Sequence, residues 1–283
     1  MPASNAILDR PGFRTPTDPH IKIWRYINFA KYVAFLETSA LYFSRVDRFK
    51  DPWEGAISPA NIELLRSMID TSGLPGGFDQ WKKGYLAQQE QQRKWIYVNS
   101  WHMNEVESAA MWELYGQRNE AIAIQSTYEK LANSLPAEVE NLGQFSPEDN
   151  TAELEFFSPQ ILVGEVQYVD YVQEAIPELS VATTSMYKRA SFEHERELRA
   201  VIAGLPPATK ASPTGELGVA RYDLKNLEMG RLVKVSVESL VEKVVVAPQA
   251  EAWFRELVEK VSVKYGVNEQ RIDRSSLYDK PVY

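Results

Sequence analysis

The chain has 283 residues, 44% hydrophobic and 25% charged, the balance of a soluble globular protein long enough to bury a large core. Its 39 acidic against 31 basic residues leave a formal net charge of −8, which argues against a broad phosphate-binding surface. It has no cysteine, which excludes disulfides, a thiolate metal site and a cysteine nucleophile and fits a cytoplasmic location; no apolar run of about 18 residues offers a membrane span.

Residues 1–19 are rich in proline and polar residues and lack the apolar stretch of a signal peptide, so an irregular leader is expected there. One domain is expected over 20–283. Residues 20–26 alternate apolar and polar and read as a first strand. Phe29, Tyr32, Val33 and Leu36 fall at helical spacing over 28–38, and 40–44 returns to strand chemistry. Pro52 lacks an N–H and holds Asp51 extended, so regular structure stops there. Helices are expected over 61–69 and 81–94 with a Gly- and Pro-rich loop between them, then a strand over 95–98. Ser108 is placed to cap a helix through Tyr115, with Gly116 at its end. A strand over 121–124 and a helix over 128–135 follow, then an acidic loop over 136–150.

Further on, 163–169 alternates as a strand and a weak helix runs from Pro177 to about Lys188. The segment 204–218 has the least ordered composition in the interior of the chain. Strands are expected over 232–237 and 241–247, and a helix over 250–265 with Trp253, Phe254, Leu257, Val258 and Val261 on its apolar side. Strands interrupted by helices at irregular spacing indicate an α+β fold, a mixed and mainly antiparallel sheet with surrounding helices.

Several motifs are missing. There is no phosphate-binding G-x-x-x-x-G-K-[ST] loop, no G-x-G-x-x-G after a strand and no G-x-S-x-G elbow. His194-Glu195-Arg196-Glu197-Leu198 resembles a zinc-binding H-E-x-x-H but puts Leu198 where the second ligand belongs. No metal site is expected.

Two regions carry chemistry. Between Arg25 and Gly55, the polar groups of Arg25, Ser44, Asp51 and Glu54 lie among aromatic rings that include Tyr26 and Tyr42, the composition of a small-molecule pocket and also that of an ordinary core. The second region is Glu193, Glu195, Glu197 and Arg199. As a strand, this block points all four charges to one face, about 7 Å apart. As a helix, it pairs Glu195 with Arg199 on a solvated surface. Between the two regions, Met111, Trp112 and Tyr115 lie on a short helix, where Trp112 either packs in the core or floors a pocket.

These pieces carry a resemblance. Arg25-Tyr26, Leu41-Tyr42-Phe43-Ser44, the Phe49 to Gly55 loop, Asn99 to His102 with the Met111-Trp112 pair, and Phe192 to Arg199 together resemble a bacterial family known as domain of unknown function 2971. A second resemblance is to the ADP-ribosyltransferase pattern of a first-strand arginine, a second-strand tyrosine or serine and a later glutamate. It implies an NAD pocket and an ADP-ribosyltransferase-like sheet, although no S-T-S triplet follows the second strand. By that resemblance Glu195 or Glu197 is the catalytic carboxylate and Arg25 with Ser44 or Tyr42 binds the cofactor, and Tyr26 and Trp112 are expected to line the same pocket. Asp51, Glu54, Lys188 and Arg199 hold the others in place, with Asp51 or Glu54 bonded to Arg25 or Lys188.

The function expected is ADP-ribosyl transfer or NAD cleavage, on a small nucleotide with a protein or nucleic-acid acceptor and no membrane. Two alternatives stand beside it. One is a non-catalytic binding or regulatory module in defence or stress. The other is a metal-dependent nuclease built on Asp51, Glu54 and the acids of 193–197. Convergence of Arg25, Ser44 and Glu195 on one cleft would favour the enzyme, and their dispersal the binding module.

Overall fold

A computed structural model describes residues 12–73, 75–116, 119–137, 139, 160–203 and 228–281. In chain order the described elements are β1 (Lys22–Asn28), α1 (Phe29–Thr38), β2 (Ala40–Arg45), α2 (Pro59–Ser72), α3 (Gly77–Arg93), β3 (Ile96–Met103), α4 (Ala109–Tyr115), β4 (Ala121–Thr127), α5 (Tyr128–Ser134), β5 (Ile161–Glu165), β6 (Gln167–Val169), α6 (Val181–Thr184), β7 (Tyr187–Arg189), β8 (Glu197–Ala203), β9 (Gly230–Lys234), α7 (Val237–Leu240), β10 (Lys243–Val246), α8 (Ala252–Lys264) and β11 (Ile272–Arg274). The fold is α+β. Nine strands form one sheet, antiparallel except where β10 meets β11; β6 and β7 make a separate parallel pair. Among the described residues no helix is long and apolar enough to cross a membrane.

Strand alternation divides the buried side chains between two faces. Ile23, Ile27, Leu41, Phe43, Trp101, Ile122, Ile124, Leu198, Ala200 and Ile202 join the larger core, which α1, α5, α7 and α8 close with Tyr32, Leu131, Leu240, Phe254 and Val258. Their neighbours in sequence point the other way. There, one cluster gathers Ile96, Val98, Tyr187 and Val201, and a second gathers Trp24, Tyr26, Met111, Trp112, Ala121, Ala123 and Val245. Glu197 and Arg199 alternate with Leu198 and Ala200, so they belong to this second face.

β3 forks the sheet. Along one edge it pairs with β8 from Ile96 to His102. Along the other it pairs with β2 at Val98 and with β1 at His102. Only Ser100 is left to point its main chain into the gap. The Arg25 guanidinium fills that gap, donating from Nη1 to the Ser100 carbonyl at 3.1 Å and from Nη2 to the Tyr42 carbonyl at 3.4 Å, with the Trp101 ring 5.8 Å away. Asn99 Nδ2 shares the Tyr42 carbonyl at 2.9 Å.

Several expectations are corrected. The strand expected over 163–169 breaks at Val166, because β5 pairs with β8 and β6 with β7. The helix expected up to Lys188 shrinks to Val181–Thr184, and Lys188 lies on β7. Strand β9 ends at Lys234, and 237–240 is helical. The described part of the leader is irregular, with Phe13 buried and Arg14 in an isolated β-bridge with Glu165; residues 1–11, segment 204–218 and nearly all of the acidic loop lie outside the described residues.

Arg25→Met should leave the Ser100 carbonyl without a donor. A buried acceptor left unpaired costs about 1–3 kcal/mol, to be read as a lower urea midpoint with an unchanged m-value.

Candidate functional site

The 193–199 block is neither the strand nor the helix that spacing allows. Ala190–Glu195 is a 3₁₀ turn, Arg196 turns the corner in the left-handed region at φ 40, and β8 begins at Glu197. Glu193 lies exposed on the turn, while Glu195 and Glu197 are buried on either side of the corner. The loop from Phe49 to Gly55 closes over them. Gly55 has φ 70, and a Cβ there would stand 2.7 Å from Val46 Cγ1, so the turn requires glycine. Thr184 Oγ1 donates to the Gly55 carbonyl at 3.1 Å, and this fixes where Glu54 stands.

Three carboxylates and two cations meet in this space. Lys188 Nζ lies 2.9 Å from Glu195 Oε2, 2.8 Å from Glu197 Oε1 and 3.2 Å from Glu54 Oε1. Arg199 donates from Nε to Glu197 Oε2 at 2.7 Å and from Nη2 to Glu197 Oε1 at 3.0 Å. The same Nη2 donates to Glu54 Oε2 at 2.7 Å, and Nη1 to the Ser185 carbonyl at 2.6 Å. All five side chains are buried. Of the six carboxylate oxygens, only Glu195 Oε1 accepts from no protein donor among the described residues, and a proton on Glu195 would be shared with Glu197.

The charges do not balance: two cations can neutralise two carboxylates, and the third is left in excess. Glu197 is the best served. Burial alone would raise its pKa, but Arg199 and Lys188 overcome that and hold it far below the usual carboxylate range. Glu195 is the one left in excess. Burial first, and then the negative Glu197 beside it, hold its pKa above the ordinary value. Burial would lower Lys188 and Arg199, and the surrounding glutamates hold both above their ordinary values instead.

Aromatic groups rim the network. The Tyr168 hydroxyl accepts the Glu197 N–H at 2.8 Å. The rings of Phe192 and Phe49 lie over Lys188 and Arg199, at 4.7 and 5.6 Å. Tyr115 is 45% exposed, and its phenol pKa is pushed up to about 12, first by burial and then by Glu195 and Glu197. His102 closes the back, with Nδ1 2.7 Å from the Glu195 main-chain carbonyl.

The structure thus brings together Glu54, Lys188, Glu195, Glu197 and Arg199. Glu54 holds Lys188, as expected of the loop. Asp51 instead takes Arg189 in a two-pronged pair at 3.0 and 3.1 Å. The single cleft expected around Arg25 and Glu195 is not assembled. Arg25 is in phase with Ile23 and Ile27, on the sheet face opposite Glu197, and its hydrogen bonds close the fork. Tyr26 and Trp112 pack edge to face at 4.9 Å inside an apolar cluster, and Trp112 Nε1 donates to Glu107, so Trp112 is core rather than pocket floor. Tyr42 and Ser44 lie on β2, on the same face as Glu197; the Tyr42 ring covers Gly230 and remains 46% exposed. Tyr168 and Arg189 sit in no motif and gave no sequence signal; His102 closes the Asn99–His102 motif, which carried no role for it. An open groove lined by Pro75, Gln80, Trp81, Gly84, Tyr85 and Gln88 on the α2–α3 hairpin shares no residue with the network.

Lys188 Nζ occupies the point where the three carboxylates converge, the place a metal ion would need. Among the described residues no group of His, Asp and Glu side chains is arranged to hold a metal. In comparisons with protein-family models, curated proteins and solved structures, nothing matches the chain.

The two glutamates should respond oppositely to amidation. Glu197 has a lowered folded pKa, so it stabilises the fold at neutral pH and that stability is lost only on strong acidification. Glu197→Gln leaves buried cations short of charge and should cost about 3–5 kcal/mol. Glu195 has a raised folded pKa, so its ionisation costs stability as pH rises above the ordinary glutamate value of about 4.3. Glu195→Gln should therefore melt above wild type at pH 7, with the advantage fading as pH falls toward 4. A Glu195→Gln melting temperature below wild type at pH 7 would contradict this assignment.

Proposed function

We propose that the chain cleaves the bond between ribose and nicotinamide in NAD, or in a nucleotide of the same build, and passes the ADP-ribosyl group to water or to a protein or nucleic-acid acceptor. One observation carries this reading: Glu195 Oε1, on a carboxylate whose other oxygen is anchored to Lys188 at 2.9 Å, accepts from no protein donor among the described residues. Paired titratable groups whose surroundings push their pKa values apart are the usual mark of divided roles. Here Glu197 is locked as an anion by Arg199 and Lys188, and it sets up Glu195 rather than acting itself.

In the proposed reaction the C1′–N bond breaks and nicotinamide leaves with both electrons. Positive charge builds on the sugar, as in glycoside hydrolysis. The Glu195 carboxylate stabilises that charge. Water or an acceptor hydroxyl then adds to C1′, and its proton passes to Glu195, whose raised pKa makes it the better base. Tyr115 and Tyr42 offer exposed rings for the nicotinamide or adenine. Arg25, which the ADP-ribosyltransferase resemblance assigned to the cofactor, has no part in this version. The family resemblance belongs to the same proposal: its motif residues Glu54, Glu195, Glu197 and Arg199 are the ones that meet in the network.

A non-catalytic binding module is the second reading. It is favoured by the dispersal of Arg25 and Glu195 to opposite faces of the sheet, and by the pairing itself, since five of the six carboxylate oxygens are satisfied within the protein and such a network fixes a loop without doing chemistry. The nuclease reading is disfavoured by Lys188, which holds the acids that would bind metal.

Nicotinamide release from NAD, followed by chromatography with and without candidate acceptors, tests the reading. Glu195→Gln should lower turnover by about 10² or more, the loss typical of one electrostatic stabiliser, while calorimetric NAD affinity stays near wild type. Neither binding nor release in the wild-type protein would favour the binding module.

A further inference from the structure

The residue facing Glu197 across β3 and β8 is His102, only 3% exposed. Its Nδ1 lies 2.7 Å from the Glu195 main-chain carbonyl oxygen. A carbonyl only accepts, so Nδ1 carries the proton. In the neutral ring Nε2 then carries a lone pair, and this nitrogen is buried with no hydrogen-bond partner among the described residues. Burial holds the imidazole pKa below its ordinary value, so the ring is neutral at pH 7. The titratable groups that act on it are Arg196, His194 and Glu197, and the Tyr26 ring meets it edge-on at 6.3 Å. A buried nitrogen without a partner costs stability. What His102 supplies is the single bond to Glu195.

That bond acts on the corner of the site. The next residue, Met103, donates its N–H to the Arg196 carbonyl at 2.8 Å, so β3 grips two consecutive carbonyls. Between them Arg196 is held at φ 40, a conformation that costs a residue with a Cβ about 1–2 kcal/mol and persists only where the surroundings impose it. The outcome of the turn is that Glu195 and Glu197, on either side of it, both reach Lys188 Nζ, at 2.9 and 2.8 Å.

We propose that His102 is the positioning residue for Glu195, its Nδ1–H holding the Glu195 carbonyl so that the carboxylate stands on Lys188 beside Glu197. The catalytic consequence rests on the reading of Glu195 given above; the structural consequence does not. The amide nitrogen of Asn can stand where Nδ1 stands, whereas Gln reaches only toward the position of Nε2. The experiment compares wild type, His102→Asn and His102→Gln by carbon-13 NMR of the glutamate carboxyls and nitrogen-15 NMR of the imidazole. Wild-type His102 should show the Nδ1–H tautomer at neutral pH. Glu195 should titrate above the ordinary glutamate value in wild type and in the Asn variant, and fall toward about 4.3 in the Gln variant. Turnover of NAD should largely survive in the Asn variant and fall by roughly 10-fold or more in the Gln variant with KM little changed, as for a group displaced from its working geometry.

An Nε2–H tautomer in the wild-type protein, or a Glu195 titration that is the same in both variants, overturns the proposal. If the Gln variant does not fold, the wild-type tautomer and the Glu195 titration in the Asn variant decide it. If NAD is not turned over at all, the reading of Glu195 fails, and the NMR results still decide the role of His102.

Discussion

The second face of the sheet depends on the burial of Arg199. A guanidinium in the interior loses several kcal/mol of hydration, which only close, well-directed partners return. Arg199 recruits those partners from three places in the chain. Glu197 comes from its own strand, Glu54 from the Phe49–Gly55 loop and the Ser185 carbonyl from the turn after α6, while the Phe49 ring covers its face. Each partner constrains the segment that carries it. The Gly55 turn, the Thr184 bond to it and the position of Glu54 follow from the need to surround one cation. Lys188 then enters as the second cation because Arg199 alone cannot neutralise three carboxylates. Glu195, last in line, is left with a free oxygen.

The contrast with Arg25 shows how partner type separates a half-buried arginine from a fully buried one. Arg25 is bonded to main-chain carbonyls, and burial lowers its pKa to about 10. Arg199 is bonded to carboxylates, which hold its pKa above the ordinary value in spite of burial. Carbonyls satisfy the donors of a guanidinium without balancing its charge, and this suits a residue whose task is to fill a fork between strands. Carboxylates balance the charge, and they also impose a field on every titratable group around them. Both residues are arginines on strands among aromatic side chains, and only their partners tell them apart.

That contrast marks how far the sequence could be read. The elements of the larger core were legible, because Tyr32 and Leu36 in α1 and Phe254 and Val258 in α8 fall at helical spacing, and Leu41 and Phe43 at strand spacing. The loop around Pro52 was legible through its backbone chemistry, and Glu54 does hold Lys188. The acid block was legible only in part. Glu195, Arg196 and Glu197 are buried, exposed and buried, which matches an alternating strand, yet the chain passes through a 3₁₀ turn and a left-handed corner to produce that order. A period of two cannot distinguish these paths over three residues. Strand direction was the other loss. Arg25 and Glu197 point to opposite faces because of the register of β1 and β8 against β3, and register is a long-range pairing property without a local signal.

The excess carboxylate is also an argument about energetics. A network built only for stability would gain from replacing Glu195 with a neutral acceptor, since two cations already have two anions and a third buried charge is opposed both by burial and by Glu197. Buried ionic groups of this kind are often no better for stability than apolar packing. Here the unfavourable member is the one at the rim. Glu197 and Glu54, deeper in, have both oxygens taken; Glu195 has one taken and one free. Strain is placed in the same way. The left-handed corner at Arg196 sits between the two acids, and the unpartnered Nε2 of His102 lies just behind them. Each of these features costs free energy, and all of them border Glu195. The excess charge, the left-handed corner and the unpartnered nitrogen, gathered around one carboxylate, are the physical basis for the role proposed for Glu195.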